Sequence, residues 1–387
     1  MHDAIQKLGE QFGYPDGLLE VLDELRLLLD RKFKGRLLSV ILSGSAATGD
    51  FVWRREGDGI TFLSDIDAVV IVASRESGDD IAAESQALRR ISSASALFHV
   101  DVTVIPSSAI ANIPHSFQAA EIRQSGWIVA GCDMRHVFPG DFRPGSSREA
   151  FFLNLWKPFL FRAVCLRRPD LYRQAIARQM MDLALLASSE QNCCVAGHRQ
   201  RLEAFEALPE GHPLQRDDLK AALRMAYGVR QGQNFANGQL EEAQFLCLRA
   251  ALEFLGIEYG AGSSAVEPAR IQALLDPRPP RRIAGEIRND LLGRRCDPAW
   301  IWRRKEACAG AALLDIYRCR REGIRLEPES NAGRWLGKFS GGPAPDLSRD
   351  DAEDRARRSY WEGEQRLHPG AIRNRDWVEA IMRGSDG

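Results

Sequence analysis

The stretch FLSDIDAVVIV, residues 62–72, sets two carboxylates at the mouth of an otherwise apolar run. An unpaired buried carboxylate is costly, so Asp65 and Asp67 need something that compensates their charge. In an extended segment, residues two apart face the same way, so both acids point to one side while Ile66 points into the core. A third acid, Asp101, lies between Val100 and Val102 in HVDVTVIP. If that strand runs beside the first in register, all three carboxylates converge on one face, where their repulsion calls for cations. Oxygen ligands of this kind suit Mg²⁺, which keeps several waters and shares the phosphates of a substrate. Two such ions can activate an attacking oxygen and stabilise a leaving pyrophosphate.

A second piece, SGSAATGD, precedes the acids and follows the apolar run LLSVILSG. Gly44 lets the backbone approach a bulky group closely, and Ser45 adds a hydroxyl beside backbone N–H groups. That is how a chain cradles phosphate at a helix start.

The elements that must position these residues are legible in the spacing. LLSVILSG, DAVVIV and HVDVTVIP read as strands, the last stopped by Pro106. Residues 17–34 place Leu18, Leu22, Leu25 and Leu29 on one helical face, with Asp16 as its N-cap. The polar connector FVWRREGDGITF reads as a hairpin or a flexible loop, residues 80–97 as a helix, and EIRQSGWIVAGCDM as a helix end, a turn and a short strand. Beyond Gly145 apolar stripes at helical spacing dominate, as in LYRQAIARQMMDLALLA and EEAQFLCLRAALEFLG. The expected fold is α/β (α+β), a core with a small mixed sheet followed by a mostly α-helical domain. Its divisions are an N-terminal helical segment 1–35, a catalytic domain 36–145, a helical domain 146–335, and a linker with a helical tail 336–387.

Composition excludes several classes. No apolar run among the 387 residues approaches the length needed to cross a bilayer, and the start of the chain does not read as a secretory signal. A net charge of -1 argues against a dedicated nucleic-acid coat, while leaving a local basic groove open. The cysteines form no CxxC and no zinc-ligand spacing, so they read as reduced thiols of a cytoplasmic protein. At the start of the helical region, Lys157 and Arg178 are candidates to reach a triphosphate; beside Asp101, His99 is a candidate to tune that carboxylate. Asp50 and Asp58 read as an ordinary helix residue and a turn residue. PRPPRR, near Pro280, reads as a solubilising loop.

Taken in order (strand, Gly-Ser, helix, strand with DxD, strand with a third acid), these pieces resemble the DNA polymerase β-like nucleotidyltransferase superfamily. LSGSAATGDF and LSDIDAVVIV look especially like its bacterial small-molecule and minimal members, and SGWIVAGCDM is similar to the segment they carry after the third acid. The resemblance covers roughly residues 36–140. The spacing from Ser45 to Asp65 is longer than the compact family pattern, so the insert FVWRREGDGIT is expected to shape the acceptor or nucleotide entrance. The resemblance implies Mg²⁺-dependent transfer of a nucleoside monophosphate, AMP from ATP, to a hydroxyl acceptor with release of pyrophosphate. In that reading Gly44 and Ser45 hold the β- and γ-phosphates and Asp65 and Asp67 bridge two ions, for which Mn²⁺ can substitute. Asp101 binds the second ion and helps deprotonate the acceptor, a small molecule or a protein side chain. The alternatives are a nucleotide second-messenger synthase and a non-catalytic protein that binds nucleotide or a partner.

Overall fold

In the computed structural model, residues 3–56, 59–73, 100–155, 169–191, 194–259, 265–275 and 305–322 are described. The chain opens with α1 (Asp3–Phe12) and α2 (Asp16–Lys32). Leu18, Leu22, Leu25 and Leu29 are buried, as their spacing predicts. Pro15, not Asp16, is the N-cap of α2; Asp16 stands in the first turn, where a negative charge favours the helix dipole.

Next come β1 (Leu37–Ser43), the short helix α3 (Gly44–Thr48), β2 (Trp53–Glu56), β3 (Gly59–Phe62), β4 (Ile66–Val72), β5 (Val100–Pro106), α4 (Phe117–Ser125) and β6 (Trp127–Gly131). The connector after Asp50 is an antiparallel hairpin, β2 with β3. The main sheet has the order β5-β4-β1-β6 and is mixed: β4 and β5 are parallel, whereas β1 is antiparallel to both β4 and β6. The helix expected over 80–97, between the parallel strands, lies outside the described residues.

The alternation of β1 and β4 explains why both runs are apolar throughout. Val40, Leu42, Ala68, Val70 and Val72 face the core shared with α1 and α2. Ile41, Val69 and Ile71 face the opposite way, against Ala119 and Ile122 of α4 and Phe138. A strand buried on both faces carries no polar alternation, and in β4 the one polar position, Asp67, falls at the strand end.

The helices α5 (Pro144–Asn154), α6 (Pro169–Glu190), α7 (His198–Glu206), α8 (Asp217–Arg230), α9 (Asn237–Phe254), α10 (Pro268–Leu274) and α11 (Lys305–Glu322) build a separate apolar core. Helix α6 is buried nearly all round, from Leu171 to Ser189, which is the signature of a central helix rather than a surface one. The architecture is therefore α+β: a small mixed sheet covered by helices, followed by a helical assembly. No helix among the described residues is long and apolar enough to cross a membrane. Among the described residues, Cys132, Cys247 and Cys319 are free thiols. The expected linker and tail over 336–387 and the PRPPRR stretch lie outside the described residues.

Candidate functional site

The parallel register of β4 and β5 sets Asp67 directly opposite Asp101. Neighbouring strands run about 4.8 Å apart, so two partly buried carboxylates share one sheet face at the strand starts. By alternation that face is the one carrying Val69 and Ile71, covered farther along by α4. On the other side of β4, Ser43 is the register partner of Asp67, so the end of β1 delivers its following turn to the same place.

That turn begins at Gly44, and its conformation demands glycine twice over. Its φ is +60°, a region L side chains rarely adopt, and a Cβ built there would lie 2.6 Å from Oδ2 of Asp67. The close approach brings the Gly44 backbone against the Asp67 carboxylate. Ser45 follows in the first turn of α3 and is partly exposed. Tyr14 holds the turn from below by donating its hydroxyl to the carbonyl oxygens of Ser45, at 3.2 Å, and Ala46, at 3.0 Å. Burial, and then the nearby Asp50 charge, push the Tyr14 phenol well above its ordinary pKa, so it stays a neutral donor.

Asp65 stands apart from the Asp67–Asp101 pair. It precedes Ile66, the first residue of β4 in the ladder, and is exposed. Among the described residues, no three His, Cys, Asp or Glu side chains gather into a group that could hold a metal ion. The donor chemistry nevertheless fits Mg²⁺, because that ion is usually held by one or two carboxylates with water and substrate phosphate completing its shell. Asp67 and Asp101 supply such a pair, and the exposed Asp65 precedes the ladder by one residue.

Positive charge approaches from the helical half. Arg230, the last residue of α8, is 7% exposed and donates through Nη1 to Oε1 of Gln174, at 3.2 Å, and through Nη2 to the Asp50 carbonyl, at 3.3 Å. Its Nε has no hydrogen-bond partner. Burial, and next the neighbouring Arg178 charge, lower its pKa to about 10, while Asp50 and Asp65 act in the opposite direction. It therefore remains a cation at neutral pH. Arg178 is exposed on α6, whose neighbouring positions are almost all buried. Lys157, His99 and Asp58 lie outside the described residues.

Sequence reasoning took Asp50 for an ordinary helix residue, and the structure corrects this. Asp50 lies past the C-cap Gly49 of α3, is 5% exposed, and accepts hydrogen bonds through Oδ2 from the His198 backbone N–H, at 2.5 Å, and Thr48 Oγ1, at 3.1 Å. Nearby, Arg201 of α7 pairs with Glu121 of α4 at 2.9 Å, with both side chains mostly buried. The His198 and Arg230 partners of Asp50 and the Arg201 partner of Glu121 lie far along the chain, and no local pattern signals such pairings. Arg230 was missed for the same reason.

No family model matches this sequence, and no curated protein matches it. Among solved structures, the chain is similar to a spectinomycin adenyltransferase from Enterococcus faecialis, crystallised with ATP and spectinomycin, at 14% identity and a TM-score of 0.41. The match covers 60% of this chain and 98% of that one. A likeness of that size carries no functional argument, which leaves function to the chain's own residues.

Proposed function

We propose that this chain is a nucleotidyltransferase that moves AMP from ATP to a hydroxyl acceptor and releases pyrophosphate. The observation that carries the reading is the register of Asp67 with Asp101, with the Gly44 backbone packed against the Asp67 carboxylate. The order of motifs along the sequence, similar to that of the polymerase β-like nucleotidyltransferases, supports the same reading.

In this mechanism the Gly44–Ser45 turn holds the β- and γ-phosphates through backbone N–H groups and the Ser45 hydroxyl. The residues that would hold divalent ions are the facing pair Asp67 and Asp101, with Asp65 just outside the ladder as the third carboxylate. Mg²⁺, or Mn²⁺ in its place, supplies charge neutralisation at the phosphates when bound. The acceptor oxygen forms a bond to the α-phosphorus as the bond from that phosphorus to the bridging β-phosphate oxygen breaks. Pyrophosphate leaves with the electron pair, and a carboxylate oxygen of Asp101 takes the acceptor's proton. Arg178 and Arg230 bring positive charge toward the triphosphate, and the helical half is the region to receive the acceptor. Most of the catalytic effect in such a site comes from positioning and charge neutralisation.

Calorimetric titration of the purified chain with ATP tests the nucleotide site. Binding is expected in Mg²⁺, with a sharp loss of affinity in EDTA and in the Asp67→Ala variant. ATP affinity indifferent to both changes would overturn the assignment of this face as the nucleotide site.

A further inference from the structure

We infer that Asp50 is a positioning residue that locks the nucleotide turn to the helical half of the molecule; the inference rests on the nucleotidyltransferase reading above. Three contacts converge on it. Oδ2 accepts the His198 backbone N–H at 2.5 Å, so the start of α7 is fixed to this carboxylate. The same oxygen lies 3.1 Å from Thr48 Oγ1, whose hydroxyl also lies 3.3 Å from the Gly44 carbonyl oxygen and is shared between the two acceptors. The Asp50 carbonyl accepts from Arg230 Nη2 at 3.3 Å, which adds the end of α8. A short chain of hydrogen bonds thus runs from α7, through Asp50 and Thr48, to the residue packed against Asp67.

The backbone on the far side is shaped for this contact. Gly197 has φ +83°, and a Cβ there would stand 2.6 Å from Asp50 Oδ2 and 3.0 Å from Thr48 Cβ. Glycine therefore stands at both ends of the relay, at Gly44 and at Gly197, and each end has a carboxylate oxygen pressed against its backbone. A carboxylate with almost no water contact and an N–H and a hydroxyl directed at one oxygen is held rigidly, because the loss of either donor leaves charge poorly compensated. If α7 shifts, for instance as an acceptor enters the helical half, the shift reaches Gly44 through bonds rather than through bulk packing. Seating of the helical half and readiness of the phosphate turn become one event.

The test uses the full chain with Thr48→Val, which removes the hydroxyl at nearly constant shape, Thr48→Ser, which restores it, and Asp50→Asn. Thr48→Val and Asp50→Asn are expected to raise KM for ATP by about 10- to 100-fold, the scale of one lost hydrogen bond to a charged group. kcat should change much less, because the turn grips triphosphate alike in ground and transition states. Thr48→Ser should bring KM back toward the wild-type value. Hydrogen–deuterium exchange gives a readout independent of activity: amides 44–50 should exchange faster in Thr48→Val than in wild type or Thr48→Ser. A Thr48→Val protein with wild-type KM and wild-type exchange at 44–50 overturns the inference, even where its melting point has fallen. If the wild-type chain neither binds nor turns over ATP, the function reading fails, and the exchange comparison alone decides whether Asp50 couples the two halves. Should Asp50→Asn fail to fold, the Thr48 pair still decides.

Discussion

Asp67→Asn is expected to abolish measurable nucleotidyl transfer while leaving the protein as heat-stable as the wild type. Removing the charge at a two-ion phosphoryl-transfer site forfeits about 4 kcal/mol of transition-state stabilisation, or roughly a thousandfold in kcat/KM. In the absence of cations that charge faces another carboxylate. Asp67 sits at the start of β4, where the ladder to β1 and β5 is made by backbone groups, and the paired Asp101 carries a like charge across the parallel register. Without cations, replacing one of two facing carboxylates by a neutral isostere relieves repulsion. Thermal unfolding in EDTA should therefore show a midpoint for Asp67→Asn no lower than that of the wild type, beside activity reduced to background. A marked drop in the midpoint would mean that Asp67 is a structural acid, and the activity loss would then carry no mechanistic weight.

Gly44→Ala is expected to harm both stability and activity, and the two losses separate in a double mutant. The left-handed backbone at φ +60° costs an alanine about 1–2 kcal/mol. The added Cβ, 2.6 Å from Asp67 Oδ2, forces the carboxylate or the turn to move. In the Asp67→Ala background the second cost disappears and the first remains. Gly44→Ala should therefore destabilise less there than in the wild type, as denaturant unfolding can measure. Equal costs in both backgrounds would show that Gly44 and Asp67 do not press on each other. The wild-type-background variant should also bind ATP more weakly, because the turn can no longer lie against the acid.

The strands and the order of the motif residues were legible for a physical reason. Buried runs such as LSVIL and AVVIV have one stable use, and an acid at the edge of such a run is conspicuous because burial penalises it. The amphipathic helix α2 was legible from four leucines at helical spacing, although its cap was misplaced by one residue. Register between separate strands is not local. That Asp67 faces Asp101 depends on how β5 docks beside β4, whereas Asp65 lies one residue outside the ladder. Asp50 was illegible for a similar reason: nothing in TGDF distinguishes a surface acid from one buried against His198 and Arg230. Arg230 ends an ordinary-looking helix, and its burial follows from the meeting of the two halves. Local patterns announce elements and candidate chemistry, while contacts between distant segments decide which candidates meet.

The central claim is that the β4–β5 carboxylates and the Gly44 turn transfer a nucleoside monophosphate. Its most direct test follows label from α-³²P-ATP in the presence of Mg²⁺, with the chain's own cell extract as the source of acceptor and Asp67→Asn as the control. Metal-dependent appearance of label in a new small molecule or protein, absent with the variant and in EDTA, is the predicted result. Label that stays in ATP in every sample, from folded wild-type protein that binds Mg²⁺–ATP, would contradict the claim and leave a nucleotide-binding protein without transferase activity.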